Sequence, residues 1–447
     1  MAGAPTQLLR LLPLLLLVLP SGLREYLSPE INHRPEEDGT APDPGVAGDA
    51  VLHPIVLVPG VSCSKLEARL TGAYRPSVPR CGAMKGKGWF GLWDNCSDLP
   101  GHHYVHCFME QMSLVYDPVA DDYRNLPGVE TRVPNFGSAR GFQINPEHPD
   151  WCLQALRREL ERIGYRDGDT LFGAPYDLRR APPMPGQTSR AYSFYFRQLT
   201  RLIEDASRRN QGRKAILFGH SFGGTVALAF VQSTPMAWRD RYIKHLILAA
   251  APPAAGVVPT VKYAASGPEV LYVPTAPPPS LRPMWRTFES AVVNFPSPAV
   301  FGRRPLVVTA RRNYSAHDMA EFLAAAGFGA ASVLAFRRRE VTSMDRFQPP
   351  MVPTTCINGE SNETLEQLVY WDGDFNARPV LVYGDGDGFI NLVSMLAFDE
   401  QMRQQNEQNK LFKSIRLEGA RHSTIVTDDW ALKRIMQEIL EANRISG

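Results

Sequence analysis

One short segment of the sequence holds a potential nucleophile in a sharp turn. Ser221 is the centre of Gly219-His220-Ser221-Phe222-Gly223. The apolar run 214–218 before it favours a buried strand, and the apolar run 225–231 after it favours a helix. A serine at such a junction, between glycines that allow helix and strand to pack closely, is typical of the nucleophile elbow of an α/β-hydrolase. The pattern therefore predicts that Ser221 attacks the acyl carbon of an ester.

A serine hydroxyl needs a base and an acid, which in this fold follow it in the order acid, then histidine. Of the ten histidines, only His422 lies after the candidate acids, in a loop before a helical pattern. Asp385 and Asp387 are both candidates, in a glycine-rich loop after the apolar run 380–383. A calcium loop is excluded because the twelve-residue spacing from Asp385 ends at Leu396, not at a glutamate. Chain order therefore assigns the base and leaves two aspartates open.

The negative oxygen that forms on attack needs hydrogen-bond donors. In this fold one donor is the backbone N–H of the residue after the nucleophile, here Phe222, and the other follows an early strand. The apolar run 54–58, closed by Pro59-Gly60, predicts that strand. Val61, directly after it, is the predicted second donor.

Buried strands alternate with amphipathic helices along the chain. Apolar residues recur at helical spacing from Leu153 to Ile163 and end at Gly164, and the segment 428–444 has an apolar helix face. Parallel strands covered on both faces are favoured by the apolar runs 54–58, 214–218, 243–249 and 380–383. This alternation predicts an α/β domain over 51–447, with a mostly parallel sheet, interrupted by a proline-rich cap insertion at about 250–350.

The first 22 residues predict a targeting segment. Arg10 precedes the apolar run 11–19, and no acidic residue occurs before Glu25. A cleaved signal peptide is favoured over a retained single-pass anchor, since the run is short for a membrane span. Residues 23–50 are rich in proline, glycine and acids and predict a disordered linker. We therefore expect the secretory pathway, with an extracellular, vacuolar or endomembrane destination.

Cysteines and glycosylation motifs fit the same route. Disulfides persist in an oxidising compartment, but sequence alone does not assign the pairing of Cys63, Cys81, Cys96, Cys107, Cys152 and Cys356. Sequons occur at Asn95, Asn313 and Asn362. Cys63 has no glycine elbow, so we predict a buried small side chain there and not a second nucleophile.

Charge and composition argue against other classes of protein. The formal net charge of +2 over 447 residues, with scattered basic residues, excludes a nucleic-acid surface. His102, His103 and His106 lie near Cys107 but lack the glutamate of the zinc-protease helix motif. We predict no metal and no cofactor, and a small molecule or lipid as the partner.

Several longer motifs resemble the lecithin:cholesterol acyltransferase family, particularly its plant members. The resemblance extends from about His53 to the last helix and is carried by Val56-Leu57-Val58-Pro59-Gly60, Lys65-Leu66-Glu67-Ala68, Arg132-Val133-Pro134-Asn135-Phe136-Gly137, Ala174-Pro175-Tyr176-Asp177, Gly219-His220-Ser221 and Tyr383-Gly384-Asp385-Gly386-Asp387-Gly388. It implies a Ser-Asp-His triad in which Asp387 is the acid. It also implies a lid at about 81–107, closed by a disulfide between Cys81 and Cys107.

The resemblance also implies an activity and a surface. A fatty acyl group would pass from a glycerophospholipid through Ser221 to a lipid hydroxyl such as a sterol. Phospholipase A activity, with water as the acceptor, is one alternative, and a catalytically weak lipid-binding protein is another. Trp89, Phe90 and Trp93 would meet a membrane or lipoprotein-like interface, and ordinary packing of these aromatics is the alternative. Oligomeric state is not indicated.

One residue and two short segments depart from the family pattern. Phe222 stands where members usually carry leucine or methionine, 251–255 replaces Ala-Pro-Trp-Gly-Gly, and Phe389-Ile390 replaces Thr-Val. Cys356 aligns with half of a second disulfide found in some members, whose partner position here is held by Met395 or a neighbour. Because no catalytic atom is lost, we expect these departures to affect acyl-chain preference and rate more than mechanism.

Overall fold

The structure of the protein is a computed structural model that describes residues 52–93, 105–142, 152–184, 187–252, 255–266, 278–340 and 348–444. Residues 50–447 form one compact unit. The predicted signal peptide and linker, the sequon at Asn95, and His102 and His103 lie outside the described residues.

The strands in these ranges are short and belong to four sheets. They are β1 (Ile55–Val58), β2 (Leu66–Leu70), β3 (Phe90–Trp93), β4 (Leu114–Asp117), β5 (Asp122–Asn125), β6 (Val129–Arg132), β7 (Leu171–Gly173), β8 (Ala215–His220), β9 (Ile243–Ala249), β10 (Val307–Thr309), β11 (Asn313–Tyr314), β12 (Thr354–Glu360), β13 (Asn362–Tyr370), β14 (Val380–Gly386) and β15 (Phe412–Glu418).

The helices of the described ranges vary from one turn to more than five. They are α1 (Val105–Met112), α2 (Gln154–Arg162), α3 (Arg190–Arg209), α4 (Phe222–Ser233), α5 (Met236–Tyr242), α6 (Pro259–Ser266), α7 (Pro278–Trp285), α8 (Pro298–Phe301), α9 (Met319–Ala325), α10 (Ala330–Glu340), α11 (Leu392–Gln404), α12 (Asn406–Asn409) and α13 (Asp429–Arg444). Within the described ranges, none of them is long and apolar enough to cross a membrane.

The central sheet has six parallel strands in the order β15-β12-β9-β8-β1-β7. Alternate residues of β1 point to opposite faces. Val56 and Val58 pack with α3 and α4, whereas Ile55 and Leu57 pack with α2 and α13. Because each face buries its own apolar cluster, the sheet is covered on both sides. The predicted α/β-hydrolase fold is confirmed, with β1, β8 and β9 at the positions expected from their apolar runs.

The prediction for the run 380–383 is wrong. This segment forms β14, which pairs antiparallel with β13 in a second sheet of order β11-β10-β13-β14, and Val380, Val382 and Tyr383 are exposed. The buried strand between β9 and β15 is β12, whose sequence is mostly polar. Its threonines are buried because hydrogen bonds satisfy their hydroxyl groups. A central strand can therefore lack the continuous apolar run that the sequence interpretation relied on.

A further apolar cluster, separate from the two on the central sheet, includes residues of the smaller sheet. Its members include Val258, just before α6, together with Val261 of α6, Phe322 and Leu323 of α9, and Leu368 of β13. Strands β10 and β11 belong to the proline-rich region, whereas β13 and β14 follow it in the chain. The smaller sheet therefore joins that region to the loop that contains the candidate acids.

Two disulfides connect distant parts of the chain. Cys81 bonds Cys107, as the family resemblance implies, and Cys63 bonds Cys152. The prediction of a buried small side chain at Cys63 is wrong, because this residue is half-buried and disulfide-bonded. Its partner depends on three-dimensional proximity that spacing does not show. Cys356 is a buried free thiol. Disulfides of this kind are typical of proteins that fold in the secretory pathway.

A buried arginine holds α1 to the strands beside it. Arg179 is fully buried and binds both carboxylate oxygens of Asp177. It also donates to the carbonyl of Met112 at the end of α1 and to the side chains of Asn125 and Thr131. Burial alone would raise the pKa of Asp177, but Arg179 outweighs burial and lowers it to about 2. The pair therefore stays ionised and fixes α1 to the strands beside it.

The disulfides should differ in their contribution to stability. Cys63 and Cys152 are 89 residues apart, and Cys81 and Cys107 are 26 apart. Loop-closure entropy then gives about 4.6 kcal/mol for the first bridge and about 3.5 kcal/mol for the second. Urea unfolding of the double variants C63S/C152S and C81S/C107S should show the larger loss for C63S/C152S. A larger loss for C81S/C107S would contradict this order.

Candidate active site

Ser221 sits at the junction of β8 and α4 in a strained backbone conformation. Its φ of 52° and ψ of −133° are rare for a residue with a side chain. A β-carbon added at Gly223 would lie 2.2 Å from the carbonyl oxygen of Pro59, and one at Gly224 would lie 2.4 Å from the β-carbon of Ala251. A β-carbon at Gly219 would lie 2.6 Å from the α-carbon of Gly224. The glycines therefore let the helix approach the strands, as the elbow requires.

A chain of hydrogen bonds connects the three predicted catalytic side chains. Ser221 Oγ lies 2.9 Å from Nε2 of His422, and Nδ1 of His422 lies 3.1 Å from Oδ2 of Asp387. Since an ionised carboxylate only accepts, the proton of the neutral imidazole is assigned to Nδ1. Nε2 then presents a lone pair to the serine hydroxyl. This arrangement allows His422 to accept the serine proton.

The structure separates the two candidate acids by their surroundings. The side chain of Asp387 is fully buried, and its Oδ1 accepts from the backbone N–H groups of Phe389 at 2.9 Å and Ile390 at 2.6 Å. Asp385 is exposed, and its Oδ1 accepts from the N–H of Ser361 at 2.8 Å. Asp385 therefore stabilises the turn between β12 and β13, and only Asp387 reaches the imidazole.

The two predicted oxyanion donors lie at the starts of helical turns. Phe222 begins α4, and Val61 begins the single turn Val61–Cys63. Neither N–H has an acceptor among the described residues, as expected for the first residue of a helix. A β-carbon at Gly60 would lie 3.5 Å from that of Ser221, so the Val61 turn is next to the nucleophile. The ring of Phe222 is buried beneath the elbow, 6.0 Å from that of Tyr176.

His220 is a component of the site that the sequence did not reveal. Its Nε2 donates to the carbonyl of His422 at 3.3 Å, which requires that Nε2 carry the proton. Its buried Nδ1 has no partner among the described atoms. Burial, and secondarily the nearby His422, lowers the pKa of His220 to about 3. The neutral ring therefore holds the backbone of the histidine loop and adds no charge beside the nucleophile.

Residues at the start of β13 support the acid and histidine loops. Asn362 donates through Nδ2 to the carbonyls of Glu360 at 3.1 Å and Ala420 at 2.9 Å. Thr364 Oγ1 accepts from the N–H of Gly388 at 2.8 Å. The sequence marked Asn362 only as a glycosylation motif, and nothing in its spacing indicated this contact. The other described sequon residue, Asn313, is exposed.

The three predicted interface aromatics have different environments. The side chain of Trp93 is buried, 6.2 Å from Phe108 and 6.4 Å from Trp285 between ring centroids. Phe90 is half-buried in β3. Trp89 lies below two guanidinium groups, 5.0 Å from Arg69 and 4.5 Å from Arg132. Trp93 therefore belongs to a buried apolar cluster, and Trp89 is nearer the surface.

The described ranges contain no group of three histidine, cysteine, aspartate or glutamate side chains placed to hold a metal ion. His106 instead contacts the hydroxyl of Ser77, with 2.6 Å between Nε2 and Oγ.

The covered parallel sheet and the elbow place the chain in the α/β-hydrolase class. Within that class it belongs to the lecithin:cholesterol acyltransferase family, whose model matches residues 89–347. Relatives include the lecithin-cholesterol acyltransferase-like 1 proteins of Oryza sativa and Arabidopsis thaliana. The chain is 43% identical to the first, over 88% of each chain, and 38% identical to the second, over 87% of this chain and 90% of the other. The lysosomal phospholipase A and acyltransferase of Mus musculus is 28% identical over the same shares, 87% and 90%.

Two histidines whose pKa values are lowered by burial should make the fold sensitive to acid. Burial is the largest cause that lowers the pKa of His245, to about 4, as it lowers that of His220 to about 3. Both are neutral in the fold but gain protons near pH 6.5 when unfolded. Stability is then complete above pH 6.5 and falls as the pH drops toward 4. The free energy of unfolding of His245→Gln, measured in urea, should change less steeply with pH than that of the wild type. The difference in slope should correspond to the uptake of up to about one proton on unfolding. An unchanged slope would contradict this assignment.

Proposed function

We propose that the protein is a lipid O-acyltransferase that uses Ser221 as its nucleophile. The observation that carries the proposal is the hydrogen-bond chain from Ser221 through His422 to the buried Asp387. Membership of an acyltransferase family supports the substrate class. A glycerophospholipid is the donor, and a lipid hydroxyl such as that of a sterol is the acceptor.

The first step forms an acyl-enzyme. His422 accepts the proton of Ser221 at Nε2 while the serine oxygen attacks the ester carbon of the phospholipid. The N–H groups of Phe222 and Val61 donate to the negative oxygen of the tetrahedral intermediate. Asp387 orients the ring and stabilises the imidazolium. His422 then gives the proton to the departing lysophospholipid.

The second step uses the same base on a different hydroxyl. His422 accepts a proton from the acceptor, whose oxygen attacks the acyl carbon and releases Ser221. Water in that place gives a free fatty acid, and the murine relative is named for both activities. The alternative of a catalytically weak lipid-binding protein is less well supported. Phe222 departs from the family pattern, but its ring is buried and leaves Ser221 Oγ in contact with Nε2 of His422.

Substitutions in the triad should separate chemistry from folding. Ser221→Ala should abolish labelling by a fluorophosphonate probe and the release of acyl label from phosphatidylcholine vesicles. Asp387→Asn should lower kcat by about 10⁴, because the wrong imidazole tautomer is then favoured. Asp385→Asn is the matched control, since its carboxylate contacts a backbone N–H and not His422. Acyl release by Ser221→Ala, or an equal loss in both aspartate variants, would contradict the assignment.

We also propose that Asn313 accepts a glycan and that Asn362 does not. Asn313 is exposed, whereas Nδ2 of Asn362, the atom a glycan would modify, already donates to two carbonyls. In a secreting eukaryotic host, Asn313→Gln should increase gel mobility with little effect on kcat. Asn362→Gln should leave mobility unchanged and lower kcat by roughly tenfold, because the histidine loop loses a fixed contact. A mobility shift with Asn362→Gln would refute the second assignment.

A further inference from the structure

An aromatic stack covers one side of the His422 imidazole. The ring centroid of Phe389 is 4.7 Å from that of His422, with 39° between the ring planes. Tyr263 continues the stack at 5.8 Å and 30° from Phe389. Both aromatic residues are half-buried. The stack is therefore a partly accessible apolar wall beside the base of the active site.

The wall and the base share one anchor. Oδ1 of Asp387 accepts from the N–H of Phe389, and Oδ2 of the same carboxylate contacts Nδ1 of His422. One buried group thus fixes the backbone that carries the phenyl ring and the orientation of the imidazole. The position of Phe389 relative to His422 is a property of the loop and not of a flexible surface side chain.

The segment that carries Tyr263 is attached to the same loop. The N–H of Val258, just before α6, donates to Oδ1 of the fully buried Asn391 at 2.9 Å. Nδ2 of Asn391 donates to the carbonyl of Leu365 at 2.8 Å. These bonds hold α6, the acid loop and β13 in one arrangement. Tyr263 is therefore held close to Phe389.

An aromatic wall affects the two possible acceptors differently. The ring faces offer no strong hydrogen-bond partner to water, so a water molecule gains little by resting against them. The hydrocarbon part of a lipid alcohol gains favourable burial there. The faces also attract a positive charge such as the imidazolium that forms during transfer. Near His422, the wall thus favours an acceptor with an apolar body over a water molecule.

We propose that Phe389 and Tyr263 are specificity-determining residues that favour a lipid alcohol over water as the acceptor of the acyl group. This inference rests on the proposed function. In the step concerned, the acceptor loses its proton to Nε2 of His422, its oxygen bonds to the acyl carbon, and the bond from that carbon to Ser221 Oγ breaks. Ser221 Oγ then receives the proton from His422. The same sequence with water yields a fatty acid.

The ratio of the two products tests this role. The full-length protein is incubated with phosphatidylcholine vesicles that contain an acyl label and 1-dodecanol, and dodecyl ester and free fatty acid are measured. Phe389→Ala should lower the ratio of ester to acid about tenfold and Tyr263→Ala about threefold, within the range that apolar contacts discriminate. Phe389→Leu, which keeps an apolar side chain, should retain most of the wild-type ratio.

Phe194→Ala is the matched control, because Phe194 is 57% exposed on α3 and should leave the ratio at its wild-type value. If Phe389→Ala lowers both products equally, its ring only positions the imidazole and the proposal fails. It also fails if the ratio is unchanged in both Phe389→Ala and Tyr263→Ala. If Phe389→Ala does not fold, the product ratios of Tyr263→Ala and Phe389→Leu test the proposal instead. Both products persisting in Ser221→Ala would instead refute the proposed function itself.

Discussion

The buried carboxylate of Asp387 is the group around which the candidate site is organised. A carboxylate without solvent is costly unless hydrogen bonds replace the water it has lost. Here the replacements are two backbone N–H groups of its own loop and the ring of His422. Because one carboxylate makes all three contacts, the loop conformation, the imidazole orientation and the location of Phe389 depend on one another. Removing any of them leaves the charge poorly satisfied.

The smaller sheet supports the candidate site, although its edge strand β14 is exposed. Its strand β13 begins with Asn362 and Thr364, which reach the histidine loop and the acid loop respectively. The central sheet supplies the nucleophile through β8, and β12 leads directly into the turn before β13. The site therefore depends on a fixed position of the two sheets relative to each other. Hydrogen bonds from the polar side chains at their junction hold that position.

The parts of the candidate site that can be predicted from sequence are those for which steric rules leave few choices. The elbow requires glycines because any β-carbon there would collide with backbone or with a neighbouring side chain, and the fold imposes a chain order that made His422 unique. Asp385 and Asp387 share the same local composition, so the residues alone left both open. What distinguishes them is burial, which depends on packing. Strand β12 is not visible in a hydropathy pattern because its buried threonines resemble surface residues. The run 380–383 has the composition of a core strand although it forms an exposed edge strand.

The disulfide between Cys63 and Cys152 has a consequence for the timing of maturation. Cys63 closes the helical turn that begins at Val61, beside the nucleophile. A nascent chain cannot lock that turn until residue 152 has emerged and an oxidant has acted on both thiols. Formation of this side of the candidate site is thus coupled to oxidation of the two thiols, and the reduced chain lacks the covalent brace. The geometry beside Ser221 is thus completed by an oxidation step and not by chain folding alone.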